Sequence, residues 1–181
     1  MRRGGSPCPS GGIVALHQLE AGRQAVAERD ELLARLELDD LLDEDRGAVA
    51  AGRHIALHGE ESYDAKLHII DLDQGSSTYM APIASWQTRS WISIHNLMAF
   101  GTKAYFTYYQ DGVRVLDLSN PAAPAQIGYY NTWDPQADYA TSAFYEGAVG
   151  LDVDLARKLI FVADSPRGLL ILRDDTPAAA L

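Results

Sequence analysis

Beyond residue 46 the chain reads as short apolar alternations broken by turn residues. The run Gly112-Val-Arg-Val-Leu-Asp-Leu-Ser119 places β-branched Val113 and Val115 two apart, the period of a strand. Asp111-Gly112 ahead of it is a tight-turn dipeptide. A strand is predicted before that turn, over 103–109. A proline-punctuated turn follows at 120–124, and then a strand over 126–130. The same order occurs earlier, with strands at 53–58 and 66–72, a turn at 73–77 and a strand at 78–83. It occurs again later, with strands at 158–164 and 169–173 around a turn at 165–168. Each series has an opening strand, at 47–51, 94–100 and 147–153.

This is a repeat. Ile70, Leu116 and Leu172 take equivalent places, 46 and 56 residues apart. Four short strands in about 40–50 residues is the size of a β-propeller blade. The predicted fold is therefore mainly β: blades of four-stranded antiparallel sheet at 46–90, 91–145 and 146–181, about three blades of an incomplete ring. The last blade ends after its third strand. In a closed propeller the missing fourth strand often comes from the other end of the chain, which leaves no unpaired edge.

The N-terminal third reads differently. Residues 1–12 are rich in Gly, Pro and Ser and are expected to form a disordered lead-in. Residues 13–45 combine a strand near 11–17 with either a helix or part of a blade. Ala, Leu, Glu and Arg over 21–42, with Leu32, Leu33 and Leu36 at helical spacing, favour a short N-terminal helix over 24–36. The alternation Leu36-Glu-Leu-Asp39 is the case for a strand instead.

Composition narrows the classes. The chain has 181 residues, 15 Lys and Arg against 25 Asp and Glu, and a formal charge of -10. That balance argues against a nucleic-acid partner, whose phosphates need clustered cations. No stretch approaches the roughly 18 apolar residues of a membrane span. The single cysteine, Cys8, excludes an internal disulfide framework and a multi-cysteine zinc site. The acidic run at Asp39, Asp40, Asp43, Glu44 and Asp45 lacks the offsets and glycine of a calcium loop and reads as a solvated segment.

The segment Gly112-Val-Arg-Val-Leu-Asp-Leu-Ser-Asn-Pro-Ala-Ala-Pro124, with Ile127-Gly-Tyr-Tyr130 after it, resembles the repeat of LVIVD-repeat β-propeller proteins. Ser93-Ile-His-Asn96 is similar to a Ser-x-His-Asn element of that family. Gly147-Ala-Val-Gly150 is similar to its Gly-Ala-Trp-Gly element, with Val149 in the aromatic place. The resemblance is strong over 91–173 and weaker over 46–90. It implies a propeller and an exported or cell-surface protein, extracellular in its working place. The start shows no apolar signal segment, which implies a cytoplasmic chain if that start is genuine and a truncated copy otherwise. A propeller needs about 4–8 blades, so open blade edges are expected to favour self-association.

Candidate chemistry is sparse. His95 and Asn96 are expected on an opening strand, where they would line a central channel. A channel-facing His95 could act as a general base, or hold a divalent cation with Glu146 and Asp152. The commoner role of such a histidine is to fix backbone geometry. His54 and His58 lie about 13 Å apart on one strand and cannot share an ion. With His68 they read as surface or packing residues. Asp117 and Asp164 end strands and are expected to cap turns. Trp133 and Tyr139, in the long connection 131–142, are candidates for binding a carbohydrate or peptide. No nucleophile elbow, phosphate loop, His-Glu-x-x-His or dinucleotide fingerprint occurs. The expected function is a non-enzymatic interaction scaffold for a protein or carbohydrate ligand, without a cofactor. The alternative is a metal-dependent propeller hydrolase or lactonase-like enzyme built on His95.

Overall fold

The computed structural model describes residues 14–15, 17–18, 48–50, 52–140 and 144–178. The expected lead-in at 1–12, the helix at 24–36, Cys8 and the acidic run lie outside the described residues. Among the described residues the structure is all β, in three antiparallel meanders of four, four and three strands, the second and third each extended by a short strand from the N-terminal segment. The first sheet holds β3 (Ala48–Ala50), β4 (Arg53–Gly59), β5 (Leu67–Asp71) and β6 (Pro82–Trp86), in sequential order. The middle sheet holds β7 (Leu97–Phe100), β8 (Lys103–Thr107), β9 (Val113–Asp117) and β10 (Ala125–Tyr130). The last holds β11 (Ala148–Asp154), β12 (Leu159–Asp164) and β13 (Gly168–Arg173).

The N-terminal segment serves two sheet edges. β1 (Val14–Ala15) pairs in parallel with β10, and β2 (His17–Gln18) pairs antiparallel with β13. β2 thus occupies the fourth-strand place of the last sheet, pairing with Leu172 and Arg173 at the end of β13.

The sheets stack face to face, the arrangement of propeller blades. Ile55, Leu67 and Ile69 of the first sheet pack with Ala104, Phe106 and Leu116 of the middle one. On the other face of the middle sheet, Tyr105, Val113 and Val115 pack with Ala148, Ile160, Val162, Leu170 and Leu172 of the last. Neighbouring positions of β8 and β9 therefore point into different seams, and all five residues of β8 are buried. Residue packing of this kind contributes about 1.5–3 kcal/mol for each large apolar side chain removed from water.

Two strands differ from their sequence-based bounds. The strand expected at 78–83 runs instead over Pro82–Trp86. Residues 73–81 are taken by a turn around Asp71, which is buried and accepts hydrogen bonds from Arg53 Nη2 at 2.6 Å, Thr78 Oγ1 at 2.6 Å and the Asp73 amide at 3.0 Å. The strand expected at 94–100 begins only at Leu97. Ile94 is withdrawn into the first seam, and the Ser93 hydroxyl donates to the Glu60 carbonyl across it at 3.3 Å.

Candidate functional site

Antiparallel meanders put alternate connections at opposite ends of the sheets. The β4–β5, β8–β9 and β12–β13 loops emerge at one end, together with the crossings β6–β7 and β10–β11. The side chains that can meet a ligand gather on this loop face, in two groups that share the β8–β9 loop.

That loop is set by two glycines. Gly112 has φ 72°, and a Cβ there would lie 2.1 Å from the Tyr130 carbonyl oxygen. Gly147 has φ 107°, and a Cβ there would lie 2.4 Å from the Tyr109 carbonyl oxygen. Both positions require glycine. The Ala148 amide then donates to the Tyr109 carbonyl at 3.0 Å, which joins the β8–β9 loop to the start of β11.

The first group surrounds His95. The residue precedes β7 rather than lying on it, and its backbone amide donates to the Thr107 carbonyl at 3.1 Å. Its ring meets Tyr109 edge-on, with centroids 5.5 Å apart. Tyr109 continues to Tyr145 at 5.2 Å, Tyr145 to Phe144 at 4.7 Å, and Phe144 to Tyr63 at 4.2 Å. The Tyr109 hydroxyl donates to Glu61 Oε1, and that oxygen stands 3.9 Å from His95 Nε2. Burial, and then the Glu61 carboxylate, push the Tyr109 hydroxyl above its ordinary pKa, so it stays protonated as a donor. Tyr63 and Tyr145 are 67% and 52% exposed, so the outer part of this aromatic row faces solvent.

The second group is an open depression of about 430 Å³ lined by Arg89, Gln110, Asp111, Asn131, Trp133 and Pro135. Arg89 Nη2 and Asp111 Oδ1 pair at 2.9 Å, and the Thr88 hydroxyl donates to Asp111 Oδ2. Asn131 is held from beneath by Arg114, whose Nη2 donates to Asn131 Oδ1 at 3.0 Å. Arg114 also lies over the Tyr129 ring, 5.6 Å from its centroid. Trp133 stands edge-on to Tyr139 at 5.7 Å, and the Tyr139 hydroxyl donates to the Thr132 carbonyl at 3.4 Å. The two aromatic residues singled out in the 131–142 connection are thus neighbours.

The remaining candidates are placed as follows. Asn96 is occupied in the backbone: its amide donates to Thr107 Oγ1 at 3.0 Å, and its Oδ1 accepts the Leu97 amide at 2.8 Å. Asp152 lies on β11, where its Oδ1 accepts the Val153 amide at 2.8 Å. Glu146 lies between Tyr145 and Gly147 and is half-buried. The carboxylate that reaches His95 is that of Glu61. No group of three or more His, Cys, Asp or Glu able to hold a metal ion occurs among the described residues.

His58 and His68 are cross-strand partners with rings stacked at 6.0 Å, and His68 Nε2 lies 3.2 Å from Glu60 Oε1. His54 stands exposed on the same strand as His58. Asp117 Oδ1 accepts the Ser119 amide at 2.8 Å and Asp164 Oδ1 the Arg167 amide at 3.1 Å, both turn contacts.

Glu61 and Arg89 carried no sequence motif, and Asp111 stood out only as part of a turn dipeptide. Glu61 and His95 are 34 positions apart, and only the stacking of the sheets brings them together.

No family model matches the chain, and no curated protein matches it. Among solved structures it is similar to the C-terminal WD40 domain of Sif2, at 19% identity and a TM-score of 0.47, over 72% of this chain and 33% of that one. The chain thus spans about a third of the length of that structure. No helix among the described residues is long and apolar enough to cross a membrane.

Proposed function

We propose that the chain is a non-enzymatic interaction scaffold of the LVIVD-repeat kind, working at a cell surface or outside the cell, and that its loop face receives a protein or carbohydrate ligand. One observation carries this reading. The loops of two adjacent blades place the depression at Trp133 and the row of rings at Tyr145 on one face, around a common β8–β9 loop. An apolar ring beside amide and charged hydrogen-bonding groups is the usual make-up of a recognition site. The motifs of 91–173 support the family and, through it, the extracellular setting.

The test is a binding screen of the purified chain against extracellular protein and glycan arrays. Trp133→Ala with Tyr145→Ala should abolish any specific signal. Gln74→Ala with Tyr79→Ala, in the β5–β6 connection at the opposite end, should leave it intact. Equal loss from both pairs, or from neither, would remove the loop face from the account.

A metal-dependent hydrolase is the second reading, and the approach of His95 Nε2 to Glu61 Oε1 is what favours it. One imidazole and one carboxylate give two of the ligands a catalytic site needs. Elemental analysis of protein purified without chelator checks it. A stoichiometric divalent ion that is lost in His95→Ala supports the enzyme, and its absence supports the scaffold. Open blade edges also imply self-association, which light scattering would detect.

A further inference from the structure

We infer that the row of rings at Tyr63, His95, Tyr109, Phe144 and Tyr145, with the Glu61 carboxylate, is a binding site for the cationic side chains of a partner's extended basic segment. The inference deepens the loop-face reading and rests on it. Three observations lead to it. The rings meet edge-on or tilted, at centroid separations of 4.2–5.5 Å, so several ring faces are turned away from their neighbours. A ring face carries negative quadrupole charge and attracts ammonium and guanidinium groups.

A carboxylate is built into the row. Glu61 is fixed by the Tyr109 hydroxyl, and its side chain remains 54% exposed, so it can accept from an incoming cation without first losing all its water. The surrounding loop adds Glu60 and Asp64. The basic groups nearby are Lys66, 3.8 Å from Asp64, and the imidazoles of His68, 3.2 Å from Glu60, and His95, 3.9 Å from Glu61, while the chain as a whole carries -10. The charge of the site is thus complementary to a basic partner.

The shape separates a chain from a small cation. Four successive ring contacts link His95, Tyr109, Tyr145, Phe144 and Tyr63, drawn from the β4–β5 loop, the approach to β7, the β8–β9 loop and the approach to β11, so several rings stand side by side on the loop face. A row suits successive Arg or Lys side chains of an extended peptide, whereas a single quaternary ammonium needs rings closed around one point.

Fluorescence anisotropy with a labelled Arg-Gly repeat peptide, at about 0.15 M salt, tests the inference on the full chain. The same peptide with citrulline in place of arginine keeps the planar shape but loses the charge and two of the five N–H donors. The arginine peptide should bind and the citrulline peptide should not. Tyr145→Ala and Glu61→Gln should each weaken binding about tenfold. Tyr79→Ala, in the β5–β6 connection at the opposite end, should leave it unchanged, and all three variants should keep the parent melting temperature. Equal binding of the two peptides, or arginine-peptide binding indifferent to both Tyr145→Ala and Glu61→Gln, would overturn the inference. Failure here with array signals still lost in the Trp133 and Tyr145 pair would overturn the cation inference alone. Failure of both would overturn the loop-face reading beneath it.

Discussion

The two seams between sheets are built to different rules on the same repeat. The seam between the first and middle sheets is closed by Ile55, Leu67, Ile69, Phe106 and Leu116, with Trp86 edge-on to Phe106 at 5.4 Å. Its buried polar contacts include the Ser93 hydroxyl on the Glu60 carbonyl and the Tyr108 hydroxyl, which donates to the Ala65 carbonyl at 2.8 Å. Burial pushes that hydroxyl up to about 12, so it remains neutral at any physiological pH. The seam between the middle and last sheets adds a charged group. Lys103 Nζ lies 3.0 Å from Asp174 Oδ2, and the Tyr105 hydroxyl donates to the same oxygen at 2.7 Å. Lys103 and Asp174 are 4% and 5% exposed.

The difference shows what each seam contributes. An apolar seam gains free energy from area and tolerates any pH. A buried ion pair gains little net, because desolvation offsets its Coulomb energy, but removing one partner is costly. Burial alone would raise the Asp174 carboxyl. Hydrogen bonds from Thr176, Tyr105 and Lys103 outweigh it and hold the group below the usual carboxylate range. The second seam therefore depends on charge and fixes how the last sheet sits on the middle one.

Truncation in the apolar seam should have the largest effect. Phe106→Ala is expected to lower the unfolding free energy by about 3–5 kcal/mol, read by urea denaturation. Lys103→Met, which strands the Asp174 carboxylate, should cost about 3 kcal/mol at pH 7 and much less near pH 3. If the cost is the same at both values, the pair does not set the contrast between the seams.

Acid gives the next effect. A carboxyl with a folded pKa below its unfolded value of about 3.9 stabilises the fold above that value. The contribution is lost as pH falls through the folded pKa. Asp174 behaves this way, and so does Asp71, which the hydroxyls of Ser76 and Thr78, the Asp73 amide and Arg53 hold far below the usual range. Melting temperature should therefore drop below about pH 4, and the drop should be shallower in Asp174→Asn. Thr78→Val removes one donor to Asp71 and should cost about 1–3 kcal/mol. Tyr145→Ala, on the exposed row, should change stability by less than about 0.5 kcal/mol while weakening binding of the arginine peptide about tenfold.

Repeat order and strand type were legible in the sequence because turn dipeptides and β-branched alternation are local signals. Asp111-Gly112 and the valines of β9 place a strand where one stands. The misplaced bounds have non-local causes. Thr78 turns inward because Asp71, seven residues back, captures its hydroxyl. Ile94 leaves the strand because the neighbouring sheet buries it. The site was legible only in part. Trp133 and Tyr139 stand out as rings in a long connection, and His95 as a histidine near a strand start. The partners that give them chemistry do not stand out: Glu61 beside His95, and Arg89 with Asp111 beside Trp133. They come from loops of other strand pairs.

The central claim is that the middle sheet is the spine of one stack, covered on both faces, with a ligand face built on its loops. Native-state amide hydrogen exchange tests this most directly, residue by residue. The account predicts that amides of β8 and β9 exchange slowest of all, at the rate of global unfolding, with β4, β5 and β12 next. Exchange from β8 and β9 as fast as from the outer strand β6 would contradict it.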